Sequence, residues 1–231
     1  MSFIPAQISS VHYLPILTTL IALLFSFILW IRFRTRRGLH HLWWSGGILA
    51  YGLGTGLEGA ITLLGNSVTL TKSWYIAGAL LGGYPLAQGS VYFHLKRKTA
   101  DVLSMLTLPL LVFLTMLVIL SPVNVSSMES FRPSGDIFVW QWLRLFTPII
   151  NIYSVIFLVG SAAWSTWSFA CQTGNGNRAI GNALIATGAL LPAIGGGMAK
   201  IGAVEVLYVG EFFGLILIWI GYVFCVRMPK S

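Results

Sequence analysis

The sequence predicts an all-α membrane protein that crosses the bilayer with seven helices. Hydrophobic residues make up 56% of the chain and charged residues only 9%, far outside the usage of water-soluble domains. Apolar runs of bilayer length recur along the chain, and basic residues gather at their ends. Runs such as 103–120 are apolar on every face, which excludes the alternating pattern of a β-barrel strand.

The apolar runs account for most of the chain, so we expect one polytopic membrane domain over residues 1–231. Polar or basic breaks separate the runs, and the longest break, 121–142, follows the fourth. The predicted spans are 13–33, 39–64, 72–95, 102–121, 145–168, 179–200 and 204–227.

The orientation of the spans follows from the distribution of Lys and Arg. Alternate ends carry ten basic residues, and the opposite ends carry four, which are Lys72, Arg132, Arg144 and Lys200. Because basic flanks stay in the cytoplasm, we expect the N-terminus outside and the C-terminus inside, in a plasma or bacterial inner membrane.

Some features of the first three spans recur in the last three at a nearly constant spacing. Pro15 and Pro148 are 133 residues apart, and Gly54 and Gly188 are 134 apart. Parallel repeats of this kind suit carriers whose halves rock around a central site. The predicted repeats are 13–95 and 145–227, with 102–121 as the linker helix of a 3+1+3 plan.

The chain lacks two motifs of known seven-helix families. It has no Pro-Gln dipeptide, the nearest approach being Pro85 and Gln88, and the seventh predicted span has no lysine to hold retinal. In span count and orientation the chain resembles the SWEET and PQ-loop sugar transporters, and more loosely the microbial opsins. No functional residues carry over from either family.

Ionisable side chains inside the bilayer are costly, so each is a candidate functional group. Glu58 and Glu211 are expected to share a level roughly 9 to 11 Å below the outer surface, at about 1.5 Å per residue. Lys200 is expected just above them. The carboxyls either bind and release a proton or anchor a ligand; alternatively, they form a structural pair with Lys200 or bond to a neighbouring helix.

Neutral polar residues and glycines give a second set of candidates. Gln88, Asn151 and Asn182 lie deeper in the spans and line a path or, alternatively, form interhelical hydrogen bonds. Glycines in the second and sixth spans are expected to be packing surfaces. Alternatively, a segment of the sixth span acts as a gate, because proline removes a backbone donor and glycines weaken a helix. The candidate gate residues are Pro192, Gly195, Gly196 and Gly197.

Histidines provide the one argument for a cofactor. His41 and His94 are expected at the cytoplasmic ends of neighbouring spans, where they could ligate a common haem iron or metal. The alternative, contact with lipid headgroups, is preferred, so no cofactor and no metal site are expected. His12 is expected to be solvated and alone at the outer surface.

The sequence favours transport over catalysis. It contains no Gly-x-Ser-x-Gly or His-Glu-x-x-His motif, so we expect no enzyme, and its basic residues sit at span ends rather than in a nucleic-acid groove. The leading hypothesis is a carrier of a small solute. The alternatives are an accessory, structural or sensory subunit of a larger membrane complex, and a haem-binding electron carrier. Expected partners are membrane lipids and other membrane subunits or further copies of the chain.

Overall fold

The computed structural model of the chain describes residues 10–200 and 202–226, without the side chain of Lys200. Most of these residues are helical. No β-sheet is present in these residues, and only two isolated bridges occur. The helices are α1 Leu14–Arg36, α2 Leu39–Leu64, α3 Val68–Trp74, α4 Tyr84–His94, α5 Arg97–Leu120, α6 Phe146–Ser154, α7 Ser161–Ala170, α8 Gly176–Lys200 and α9 Val204–Val226.

Six helical segments of the described chain are long and apolar enough to cross a membrane. An all-α membrane fold is thereby confirmed, whereas the count of seven spans stays a prediction. Five of the six are built on α1, α2, α5, α8 and α9, and the sixth joins α6 and α7 through a π-helical stretch. The segments are Ser10–Arg36, Leu39–Leu64, Arg97–Leu120, Gln141–Ala170, Gly176–Ala199 and Val204–Val226.

The predicted third span, 72–95, contains a break. After α3 the chain continues as a π-helix over Tyr75–Leu80, turns, and starts α4 at Tyr84. Pro85 explains the break, because proline lacks an amide donor and its ring clashes with the carbonyl of the preceding turn of a continuous helix. Leu80 and Tyr84, which flank the break, are each only 2% exposed. The irregular backbone is therefore shielded by protein rather than exposed to lipid.

Glycines allow α8 and α9 to approach closely. A Cβ atom on Gly214 would lie 2.5 Å from the carbonyl oxygen of Gly188, and one on Gly221 would lie 2.5 Å from that of Gly181. Because these oxygens belong to the backbone, they could make room for an added Cβ atom only if the two helices moved apart. At these positions the glycines are packing surfaces, as the sequence favours.

The candidate gate lies in a continuous part of α8. The helix passes through Pro192 without unwinding and ends at Lys200. A Cβ atom on Gly195 would lie 2.7 Å from the Cα of Leu207, whereas Gly196 and Gly197 have nothing within 4 Å of that position. A gating role for Pro192, Gly195, Gly196 and Gly197 stays a prediction.

The connection between α5 and α6 folds over one end of the bundle. Lys72 donates through Nζ to the carbonyl oxygens of Ile119 and Ser121, at 2.7 and 2.8 Å. Ile137 and Phe138 are buried at 1% exposure each. We call this the loop end, and the opposite end, where α1 ends and α2 begins, the basic end. The assignment of the loop end to the outside stays a prediction.

Asp136 ties this connection to the start of the fifth predicted span. Its carboxylate accepts a hydrogen bond from the Ser134 hydroxyl at 2.7 Å and pairs with Arg144. These contacts lower the pKa of Asp136, and the hydroxyl bond is the largest cause. The contacts favour the ionised form, so any stability they contribute is present above the ordinary aspartate pKa and is lost as the pH falls below it.

Candidate functional site

A cavity of about 390 Å³ lies among the helices at the basic end. Its wall is built by α1, α2, α4, α7, α8 and α9, together with Leu158 from the π-helical stretch between α6 and α7. Arg36 and Arg178 stand exposed where it meets the surface. The volume falls in the range of about 300–1,000 Å³ that is usual for small-molecule sites.

A buried apolar cluster closes the inner end of the cavity. Phe25, Ile48 and Ile218 belong both to the cavity wall and to this cluster, which also contains Ala22 and Leu215. The Phe25 ring is 2% exposed and stacks on Trp219 with a centroid distance of 5.2 Å. We call these residues the apolar seal, because they separate the cavity from the helix segments nearer the loop end.

Beyond the apolar seal lie the two acidic residues of the predicted site. The carboxyl groups of Glu58 and Glu211 are close neighbours, and the Trp74 indole donates to Oε1 of Glu58 at 2.8 Å. Glu58 is only 2% exposed. The structure therefore brings the two acids of the predicted site together as a closely spaced pair.

The carboxyl pair lies close to the inner end of the cavity. Along α9, Ile218 lines the cavity, Leu215 belongs to the apolar seal, and Glu211 follows one turn later. Ile218 and Glu211 are thus about 10 Å apart along the helix axis. Tyr51 bridges the two regions, since its ring packs against the seal and its hydroxyl donates to the Glu211 carbonyl oxygen at 2.9 Å.

Several buried polar atoms around the carboxyl pair have no hydrogen-bond partner. Besides Oε2 of Glu58 and Glu211, they include the Tyr208 hydroxyl, Nδ1 of His12 and Nε of Arg132. The His12 and Tyr208 rings meet edge to face at 5.7 Å, so the expectation that His12 stands alone in solvent is wrong. Buried polar groups are nearly always paired, so these atoms make the surroundings of the carboxyl pair a candidate functional region.

Neither acid of the pair forms a salt bridge with a cation in the part of the chain that the structure describes. The predicted partner, Lys200, ends α8, but its side chain falls outside the described residues. Pairing of Glu58 or Glu211 with Lys200 therefore stays a prediction.

Gln88 has a structural position away from the carboxyl pair. It is fully buried, and its amide donates to the Ser104 hydroxyl at 2.7 Å and to the Ala100 carbonyl oxygen at 3.3 Å. Its oxygen accepts a hydrogen bond from Tyr153. These bonds join α4, α5 and α6, which is the interhelical role given above as the alternative.

The two asparagines differ from Gln88 and from each other. Asn182 lines the cavity and donates to the Arg178 carbonyl oxygen at 2.8 Å. Asn151 lies exposed on the outer surface of α6, between the exposed Ile149 and Ile152, and its side chain has no hydrogen-bond partner within the described residues. Of the two, Asn182 is the one that lines the cavity.

His41 and His94 both line the cavity. The ring nitrogens of His94 lie 3.0 Å from the Ser90 carbonyl oxygen and 3.0 Å from the Ser165 hydroxyl, so a metal or haem iron would have to replace one of these contacts. Within the described residues, no three His, Cys, Asp or Glu side chains are placed to hold a metal ion together. Haem binding stays a prediction.

Sequence reasoning missed the cavity. It assigned Arg32, Arg36 and Arg178 to membrane orientation alone, yet all three line the cavity wall. Their clustering at one end was visible in the sequence, but nothing showed that residues of α1 and α8 converge on one space. Tyr51, which connects the seal to the carboxyl pair, carried no signal either.

Comparison with known proteins adds no assignment to these observations. No protein-family model, no curated protein and no solved structure matches the chain. The function must therefore be argued from the chemistry and geometry of the site.

Proposed function

We propose that the protein is a carrier that moves a small solute across the membrane. The observation that carries this proposal is the cavity, which opens at the basic end and stops at an apolar seal one helical turn short of the carboxyl pair. A space open at one end and closed at the other is the arrangement that alternating access requires of a carrier in one of its states.

Interrupted helices support the same proposal. The break between α3 and α4 is shielded within the bundle, and the π-helical stretch Val155–Gly160, which is exposed on its outer side, places Leu158 in the cavity wall. Such irregularities at membrane depth are tolerated where they are buried or line a cavity. In carriers they are typical of the substrate site and of the segments that move.

Within this proposal, the Glu58–Glu211 pair binds the proton that is exchanged during transport. The two carboxyl groups are close neighbours, and opening of the apolar seal would connect them to the cavity. Intramembrane carboxyl groups serve as proton relays in many pumps and transporters. Solute movement and proton movement would then share one pathway.

Filling the cavity should abolish transport. Ala162 is 4% exposed and lines the cavity, so a tryptophan there occupies the space that the solute needs. We expect Ala162→Trp to eliminate solute-driven pH changes in proteoliposomes loaded with a pH-sensitive dye, tested with anionic, neutral and cationic small solutes. Modification of Cys225, which also lines the cavity, in a Cys171→Ser background should give the same loss.

The matched control is Ala163→Trp. Ala163 is the next residue of α7 but is exposed outside the cavity, so this variant should transport like the unmodified protein. The carrier proposal is wrong if the unmodified protein moves none of the solutes, or if Ala162→Trp and Ala163→Trp behave alike while both remain folded.

A second candidate, an accessory subunit, is favoured by one observation. Asn151 presents an unpaired amide on the lipid-facing surface of α6, where a hydrogen bond to a helix of another subunit would satisfy it. In that case Asn151→Val should lose a partner that co-purifies with the unmodified protein in mild detergent. Asn182→Val, which alters the cavity instead, should keep it. Isolation as one self-contained species would exclude this candidate.

A further inference from the structure

The cavity wall is strongly basic. It contains the side chains of three arginines and three histidines, and no acidic residue among the described residues lines it. The basic residues are Arg32, Arg36, Arg178, His40, His41 and His94. A low-dielectric space with one sign of charge concentrates ligands of the opposite sign.

The three arginines have no carboxylate partners in the part of the chain that the structure describes. The guanidinium of Arg32 lies over the Tyr222 ring at 5.9 Å, and that of Arg178 lies over the Phe169 ring at 5.7 Å. A cation–π contact does not use up the N–H donors of a guanidinium, which stay available for hydrogen bonds to an anion. Arg32 and Arg178 are therefore positioned without being neutralised.

Two further polar groups of the wall are unpaired. Nδ1 of His41 and the hydroxyl of Tyr222 are buried and lack hydrogen-bond partners among the residues that the structure describes. Each can donate a hydrogen bond to an oxygen acceptor. His41 can do so when its Nδ1 carries a proton. Leaving them unsatisfied is costly, so a ligand with several acceptor oxygens would be favoured at this position.

Away from the arginines, the cavity wall is apolar and partly aromatic. Phe25, Leu29 and Ile48 come from the first two helices, and the other walls carry both apolar side chains and the hydroxyls of Ser90, Ser161 and Ser165. The side chains of this region are Phe25, Leu29, Ile48, Leu86, Leu158 and Ile218. A small, fully hydrated inorganic anion would gain nothing from these surfaces, whereas a hydrocarbon body would displace water from them.

We infer that the cavity binds an amphipathic organic anion, with its carboxylate or phosphate group between Arg32, Arg36 and Arg178 and its hydrocarbon body against the apolar wall. This inference names the solute class of the proposed carrier and rests on the proposed function for its transport. Binding itself is independent of flux, so the two can fail separately.

Titration calorimetry of the protein in phosphatidylcholine nanodiscs tests the inference. The probes are octanoate and octyl phosphate, with octanol, octylammonium and acetate for comparison. We expect the two amphipathic anions to bind and the others to bind at least roughly tenfold more weakly, because each lacks either the charge or the apolar body. Dioctanoyl phosphatidylglycerol is titrated in parallel. Comparison of its affinity with that of octanoate shows whether the cavity prefers an anionic lipid or a soluble organic anion.

Removal of one arginine should weaken anion binding selectively. Arg178→Gln is expected to reduce the affinity for octanoate roughly 10- to 100-fold, because one charge-assisted hydrogen bond is lost. The affinity for octanol should stay unchanged. Arg178 is exposed, so its replacement should not disturb folding. Lys98→Gln is the matched control, since Lys98 is an exposed cation of the same end that does not line the cavity.

Equal binding of octanol and octanoate would overturn the inference, and so would equal losses in Arg178→Gln and Lys98→Gln. If octanoate binds as expected but is not moved in proteoliposomes, the carrier proposal fails and the anion site stands. If another class of solute is moved and the anions do not bind, the carrier proposal stands and the anion site fails.

Discussion

Gly214→Ala is expected to destabilise the protein by about 2–3 kcal/mol, because a side chain has no room at this helix contact. The added Cβ atom would lie 2.5 Å from the carbonyl oxygen of Gly188 and 3.0 Å from Cδ of Pro192. Neither atom belongs to a flexible side chain, so α8 and α9 would have to separate. In lipid, helices associate through close packing rather than through the hydrophobic effect, so the lost contact is not compensated.

Gly197→Ala is the matched control. Nothing lies within 4 Å of the position that its Cβ would take, so the change should be neutral or stabilise α8 by up to about 1 kcal/mol. Reversible unfolding in mixed detergent micelles with increasing dodecyl sulfate measures both free energies. Similar values for the two variants would contradict the close contact. Lost transport in a stable Gly197→Ala protein would support the predicted gate.

Glu58→Gln is expected to abolish solute-driven proton movement while leaving ligand binding in the cavity intact. Glutamine has nearly the same shape as glutamate and keeps an oxygen that can accept from the Trp74 indole, so the local packing can be preserved. It cannot release or take up a proton in the physiological range. The proton flux should therefore fall to that of empty vesicles.

Glu205→Gln provides the comparison for Glu58→Gln. Glu205 is an exposed acid at the start of α9 at the same end of the bundle, and its replacement should leave proton movement unchanged. Dye-loaded proteoliposomes measure the proton flux, and titration calorimetry measures the binding of a solute to the cavity. Normal proton movement in Glu58→Gln would exclude the carboxyl pair from coupling. A loss of ligand binding as well would indicate a structural role instead.

The carboxyl pair shows how far the sequence can lead towards a site. Glu58 and Glu211 were identifiable because charged groups are rare at membrane depth, and residue counting placed them at one level. Their close approach to each other and the contact of Trp74 with Glu58 depend on the rotation of α2, α3 and α9 about their axes. That rotation is not encoded in any local pattern.

The break in the third span illustrates a second limit. Hydropathy predicted one span over 72–95, since Leu80, Leu81 and Tyr84 continue the apolar run. The structure interrupts it before Pro85. Proline within a membrane helix produces either a mild kink or a full break, and the surrounding helices decide which by shielding the freed backbone groups.

The sequence by itself determined that the chain is a helical membrane protein, where most of its helices begin and end, and that glycines mediate contacts between them. Only the tertiary structure decided that Arg32, Arg36 and Arg178 surround one cavity and that an apolar seal separates it from the two acids. The physical reason is that lipid-facing and buried side chains are equally apolar in a membrane. Hydrophobic periodicity therefore cannot tell which face of a helix points inward.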